Sequence, residues 1–139
     1  MGYATFKFGQ VTTDKNSIRS RVPEVAPTLA AERDTGKGHA IKFKIPVTNT
    51  GHIRGAEVIQ LYVNDQESSL PRPEKELKAF EKVWLDPGQT KVVELVVNEE
   101  DLRYFDDAKH MWISEKGEFE ILIGTSSRNI FATKKIMLN

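Results

Sequence analysis

The sequence predicts an all-β protein, a single antiparallel β-sandwich of seven to eight short strands. Apolar residues recur with a period of two in run after run, as half-buried strands require. Clusters of Gly, Pro, Asn and Asp separate those runs. Only one stretch opens like a helix, and it is a single turn long. The 139 residues fit one domain, 1–139, long enough to bury a core.

The elements follow in chain order. Thr5 to Val11 reads as a strand with Phe6 and Phe8 on one face. Residues from about 12 to 39 show no convincing period. They hold Pro23, Pro27 and the small pair Ala30-Ala31, and Thr28 to Lys37 is expected at the surface. Ile41, Phe43, Ile45 and Val47 alternate with Lys42, Lys44 and Pro46, a strand with one apolar face. Asn49-Thr50-Gly51 ends it in a turn.

Ala56 to Asn64 is apolar on both parities, with Val58, Gln60 and Tyr62 on one face and Ile59, Leu61 and Val63 on the other. A central strand covered on both sides has this composition. Leu70-Pro71-Arg72-Pro73 excludes helix and regular ladder, so it reads as an extended connection. Glu76 to Leu85 and Thr90 to Val97 are strands on either side of Asp86-Pro87-Gly88. The short turn predicts that these two pair as a hairpin.

Asn98-Glu99-Glu100-Asp101-Leu102 predicts one helical turn, with Asn98 as cap and acids at its N-terminal end. Lys109 to Ser114 and Glu118 to Gly124 flank Glu115-Lys116-Gly117 and predict a second hairpin, with Gly117 and Gly124 as turn glycines. Ile130, Ala132, Lys134, Ile136 and Leu138 share the inward parity of a last strand, and Lys134 is the odd member.

Composition excludes several functions. Lys+Arg and Asp+Glu are 20 each, so the basic excess of a nucleic-acid or membrane-surface binder is missing. There is no cysteine, hence no disulfide, thiolate nucleophile or Cys-zinc site. No apolar run reaches the length of a membrane span, and no leader-like segment opens the chain. Compartment is left undetermined. His39, His52 and His110 lack metal-ligand spacing, so no metal or cofactor is expected. Glycoside hydrolysis needs two opposed carboxylates across a cleft. The acidic pairs available, Asp106-Asp107, Glu99 to Asp101 and Glu118 with Glu120, sit in turns or on one outer strand face. Ser68-Ser69 and Ser126-Ser127 lack a nucleophile-elbow context. No catalytic residue is assigned.

Several blocks together resemble the fibronectin type III-like domain of family 3 glycoside hydrolases, the β-glucosidases, β-xylosidases and their relatives. They are Val47-Thr48-Asn49-Thr50-Gly51, Gly55 to Val63, Leu70 to Val83, Leu85-Asp86-Pro87-Gly88-Gln89-Thr90, Asp101-Leu102 with Tyr104-Phe105-Asp106, and Gly117-Glu118-Phe119 leading to Ile123 to Ser127. They stand in the family's order from about Lys37 to Leu138. Gly2-Tyr3-Ala4-Thr5-Phe6 is similar to the segment that leads into the domain, as if the chain began at a domain boundary. The resemblance implies a fibronectin type III/immunoglobulin-like sandwich. It implies a catalytic aspartate and glutamate in other domains of the parent hydrolase, and an accessory domain that packs against them. Leu70, Pro71, Arg72 and Pro73 are then candidates for interdomain contact, as are Tyr104, Phe105 and the outer positions of Ala56 to Asn64. Trp84 and Trp112 belong either to the core or a domain contact, or to a face that stacks on sugar rings. The second option makes the chain a free-standing polysaccharide-binding module. A docking face left open would also favour self-association.

Overall fold

The computed structural model describes residues 4–19, 40–65, 75–106, 110–113 and 116–139. Among these the chain forms eleven strands, β1 (Phe6–Phe8), β2 (Thr12–Thr13), β3 (Ser17–Ile18), β4 (Ala40–Asn49), β5 (Gly55–Asp65), β6 (Glu76–Leu85), β7 (Thr90–Asn98), β8 (Tyr104–Asp106), β9 (Met111–Ile113), β10 (Gly117–Ser126) and β11 (Asn129–Leu138). The only helical element described is a 3-10 turn at Glu99–Leu102. The all-β sandwich of the sequence is therefore present, and the extra strands are short ones. Two of them, β2 and β3, fall inside the stretch read as irregular. They are two residues each, below what periodicity detects. Ile18 is fully buried there, with β3 running parallel to β11.

Two sheets carry the core. In the first, β4 pairs with β7 on one side and with β1 and β2 on the other. In the second the order is β3-β11-β10-β5-β6. Alternation along β4 buries Ile41, Phe43, Ile45 and Val47, which meet Ile59, Leu61, Phe119, Ile121 and Ile123 from the second sheet. Each such side chain contributes about 1.5–3 kcal/mol on burial. Phe8 of the first sheet stacks on Phe131 of the second, centroids 4.1 Å apart, and closes one side of the sandwich.

Neither predicted hairpin forms. β6 and β7 belong to different sheets, so Asp86-Pro87-Gly88 carries the chain from one layer to the other. Gly88 sits at φ +79°, and the Gln89 N–H donates to the Asp86 carbonyl at 2.9 Å, closing the turn. β9 pairs with β8 in a separate two-stranded ribbon, and β10 turns instead into β11. Turn length alone does not say whether a chain folds back in plane or crosses to the facing sheet. Gly124 is likewise not a turn glycine. It lies within β10 at a register shift opposite Ile130, and a Cβ there would come 2.1 Å from the Asn129 carbonyl oxygen. The first strand is also shorter than expected, ending at Phe8, although Val11 is still buried. Lys134 keeps the inward register, opposite Ile121, and is half-buried.

Asn49 holds the layers together at the crossover. It is fully buried. Its Nδ2 donates to the Ile53 carbonyl at 2.9 Å and to the Leu85 carbonyl at 3.0 Å. Its Oδ1 accepts the Gly51 N–H at 2.8 Å. Its own N–H donates to the Gln89 carbonyl at 3.0 Å, and its carbonyl accepts the Gly88 N–H at 2.8 Å. One residue thus joins the end of β4, the turn into β5, the end of β6 and the turn into β7.

Asn49→Ala leaves the Ile53 and Leu85 carbonyls and the Gly51 N–H without their side-chain partner, so an unfolding free-energy loss of about 3 kcal/mol is expected, or roughly 10 °C in Tm. Asn49→Asp is expected to lose more at neutral pH, because a carboxylate cannot donate to two carbonyls. Thermal denaturation of both variants checks this, and an alanine variant within 1 °C of the parent (on the order of the error) contradicts it. Gly124→Ala is expected to cost about 2–3 kcal/mol by overpacking against the β11 backbone, measured by urea titration.

Candidate functional site

The outer faces of the two sheets differ. On the first, β4 and β7 present Lys42, Lys44, Pro46 and Thr48 against Val96, Glu94, Val92 and Thr90. Lys44 lies 3.8 Å from Glu94, and the Thr48 and Thr90 hydroxyls meet at 2.6 Å. Val92 and Val96 are exposed but stand on either side of the charged pair. Cross-strand polar pairs of this kind suit a face in water.

On the second sheet the outer face carries apolar side chains along β5 and β6 and at Leu122, while the ends of β10 and β11 are charged. β5 turns Val58, Gln60 and Tyr62 outward, as the two-sided pattern of Ala56 to Asn64 requires. Opposite them on β6 stand Lys82, Phe80 and Leu77, and Leu122 of β10 flanks Tyr62 on its other side. Phe80 is 66% exposed and Leu77 48%. Tyr62 is nearly buried, with its hydroxyl donating to Gln60 Oε1 and the Lys75 ammonium 6.0 Å above its ring. Covering Phe80 and Leu77 completely would contribute about 2–3 kcal/mol, given that roughly a third of Phe80 and half of Leu77 is already shielded.

Sequence reading missed Leu77 and Phe80. By parity Leu77 belongs with Ala79 and Val83, which face the core. A register shift skips Lys78 and sets Leu77 beside Tyr62 on the outside. For Phe80 the signal was available, since Phe80 and Trp84 stand on the otherwise charged parity of Glu76 to Leu85.

Trp84 does not enter the core. It is 48% exposed on the outward side of β6, with Lys82 Nζ 5.1 Å and Arg54 Cζ 5.6 Å from its ring centroid. The Lys91 ammonium donates to its carbonyl at 3.0 Å. Trp112 lies in β9 opposite Phe105, and Tyr104 stands opposite Ile113. Leu70, Pro71, Arg72 and Pro73 lie outside the described residues.

Among the described residues, the acidic candidates Glu99, Asp101 and Glu118 do not converge on a cleft. Glu118 lies 3.7 Å from Lys135 on the outer face. Glu99 is buried and takes a 2.5 Å ion pair from Arg103. Asp101 accepts the Asn98 N–H at 2.7 Å, capping the 3-10 turn as predicted for this stretch, though the capping carboxylate comes from position 101. Asp106 belongs to β8, and Asp107 lies outside the described residues. His52 and His110 are exposed, and His39 also lies outside the described residues. Among the described residues no group of three or more His, Asp or Glu is placed to hold a metal.

The model of the fibronectin type III-like domain family matches residues 57–127, half of the chain. The chain belongs to that family. It is 35% identical over 139 residues to "Thermostable beta-glucosidase B" of Acetivibrio thermocellus, covering 100% of this chain and 16% of the relative. It is 36% identical over 133 residues to "Beta-glucosidase BoGH3A" of Bacteroides ovatus, covering 96% of this chain and 16% of the relative. Its fold superposes on the solved β-D-glucoside glucohydrolase of Trichoderma reesei with a TM-score of 0.78 at 29% identity, over 99% of this chain and 19% of that one. This fibronectin type III-like domain therefore spans about a sixth of the β-glucosidases it matches.

Burial raises the Asp101 carboxyl above its ordinary 3.8, opposed by the Asn98 N–H and Lys78 and reinforced by Glu100. Between 3.8 and the raised value the folded state binds more protons than the unfolded state. Its contribution is therefore most favourable below 3.8 and is lost as pH rises through the raised value. The Tm of Asp101→Asn relative to the parent is expected to improve as pH is raised from acid to neutral. A difference that stays flat or declines across that range contradicts the assignment.

Proposed function

We propose that this domain is a non-catalytic accessory unit of a family 3 glycoside hydrolase and stabilises the catalytic domains by packing against them. The observation that carries this reading is one of proportion. The whole chain aligns to 16% of a protein named as a β-glucosidase, so most of such a protein lies outside the matched part. The polar inventory supports it. The carboxylates described are paired or dispersed over the surface, whereas glycoside hydrolysis requires two that face one another.

Contacts with the remainder of the parent would come from Leu70, Pro71, Arg72 and Pro73, and from the β8–β9 ribbon that carries Tyr104 and Phe105. A two-stranded ribbon of this length is marginal by itself and gains from a partner surface. A tether raises the effective concentration of such contacts to the order of mM, so modest contact energies suffice.

A second reading, a free-standing module that binds polysaccharide surfaces, is favoured by one feature, the exposure of Trp84. A sugar ring stacking there would compete with Lys82 and Arg54 for the indole.

The purified chain is expected to release no nitrophenol from aryl β-glucosides above the buffer rate, and to stay in solution when mixed with insoluble cellulose or xylan. Turnover proportional to enzyme concentration sinks the accessory reading. Depletion onto the polysaccharide that Trp84→Ala abolishes replaces it with the second one.

A further inference from the structure

We infer that the outer face of the five-stranded sheet, centred on Leu77 and Phe80, is the surface that seats on the catalytic part of the parent enzyme; this rests on the accessory reading above. Three observations select it. The opposite face is divided by its own polar pairs, Lys44 with Glu94 and Thr48 with Thr90, whereas on the five-stranded sheet the pair Glu118–Lys135 lies on β10 and β11, away from β5 and β6. The five-stranded sheet instead sets Leu77, Tyr62 and Leu122 in one row across three neighbouring strands, with Phe80 and Gln60 in the next. A row of that kind is contiguous, whereas Val92 and Val96 are isolated from one another.

The local irregularity points the same way. The register shift at Lys78 moves Leu77 from the core side to the outer side. That leaves a large apolar side chain half exposed beside Tyr62. The alternative surface, the open groove between β6 and β7, is lined by Arg54, Lys82 and Lys91 against Glu81 and Glu94. Its charges nearly balance, Arg54 is also engaged by Asp86 at 3.3 Å, and Lys91 is spent on the Trp84 carbonyl. It selects no charged ligand.

The occupant is the remainder of a family 3 β-glucosidase, because the relatives that contain this domain are about six times its length. The test uses the Acetivibrio thermocellus relative from which the matching segment has been deleted, titrated with this chain. Leu77→Ser with Phe80→Ser is expected to weaken binding at least tenfold, on the order of 1.4 kcal/mol. Val92→Ser with Val96→Ser is expected to change it less than twofold (roughly 0.4 kcal/mol). Circular dichroism and Tm of each free variant check that the sandwich persists. If the truncated enzyme is insoluble, the same variants are placed in the full-length relative with this chain substituted for its segment, and the loss of Tm is read instead.

Equal loss from both double variants, or loss only from the valine pair, overturns the face while leaving the accessory reading intact. A wild-type chain that neither binds the truncated enzyme nor stabilises the chimera overturns both. A free chain that sediments as a dimer, dissociated by Leu77→Ser with Phe80→Ser while enzyme binding is unchanged, assigns the face to self-association and also overturns the proposal.

Discussion

The two layers of this sandwich depend on one buried amide. Strands that cross from sheet to sheet leave backbone groups without ladder partners at the crossing points. Here two crossings, β4 to β5 and β6 to β7, meet at the same end of the molecule, and Asn49 serves both. A hydroxyl could not do this, because it offers one proton where two carbonyls need one each. An acid would offer none. The turn tripeptide Asp86-Pro87-Gly88 complements it. Proline and glycine preset the backbone so that the Gly88 N–H reaches the Asn49 carbonyl.

This lock gives the blocks Val47 to Gly51 and Leu85 to Thr90 a common physical meaning. They are far apart in the chain and meet at Asn49, beside the contact between the Thr48 and Thr90 hydroxyls. Their recurrence in one order was the sequence signal that placed the chain among fibronectin type III-like domains, and the hydrogen bonds supply a reason for both. The Thr50 N–H donates to the Thr5 carbonyl at 2.7 Å, which ties the beginning of the described chain to the same corner. Fold identity therefore rests on turn chemistry as much as on alternation.

Much of the fold was legible because alternation is a local property. β4, β5, β6 and β11 lie where period two put them, within one or two residues. Partner choice was not legible. β6 with β7, and β9 with β10, are neighbours in sequence and members of different sheets. Nothing in a tripeptide turn records which way the next strand is flung; that is decided by which apolar faces must meet. The candidate site shows the same division. The outward half of β5 could be read from Val58, Gln60 and Tyr62. Leu77 could not, because a single skipped residue at Lys78 inverts its parity without a sign such as Gly or Pro to mark it.

The dispersal of the acids among the described residues and the apolar row on one outer face are linked through the same geometry. A sandwich this thin uses each strand's inner parity for its own core and leaves only the outer parity for other work. Chemistry on that outer parity would place carboxylates on an open, solvated sheet, where nothing holds two of them across a substrate and nothing excludes water. Apolar side chains on the same positions face no such obstacle, since association needs area and not convergence. The five-stranded sheet is wide enough to set Leu77, Tyr62 and Leu122 side by side, whereas the other sheet has β4 flanked by a single long strand and two short ones. Width lets the five-stranded sheet carry one apolar row across three neighbouring strands.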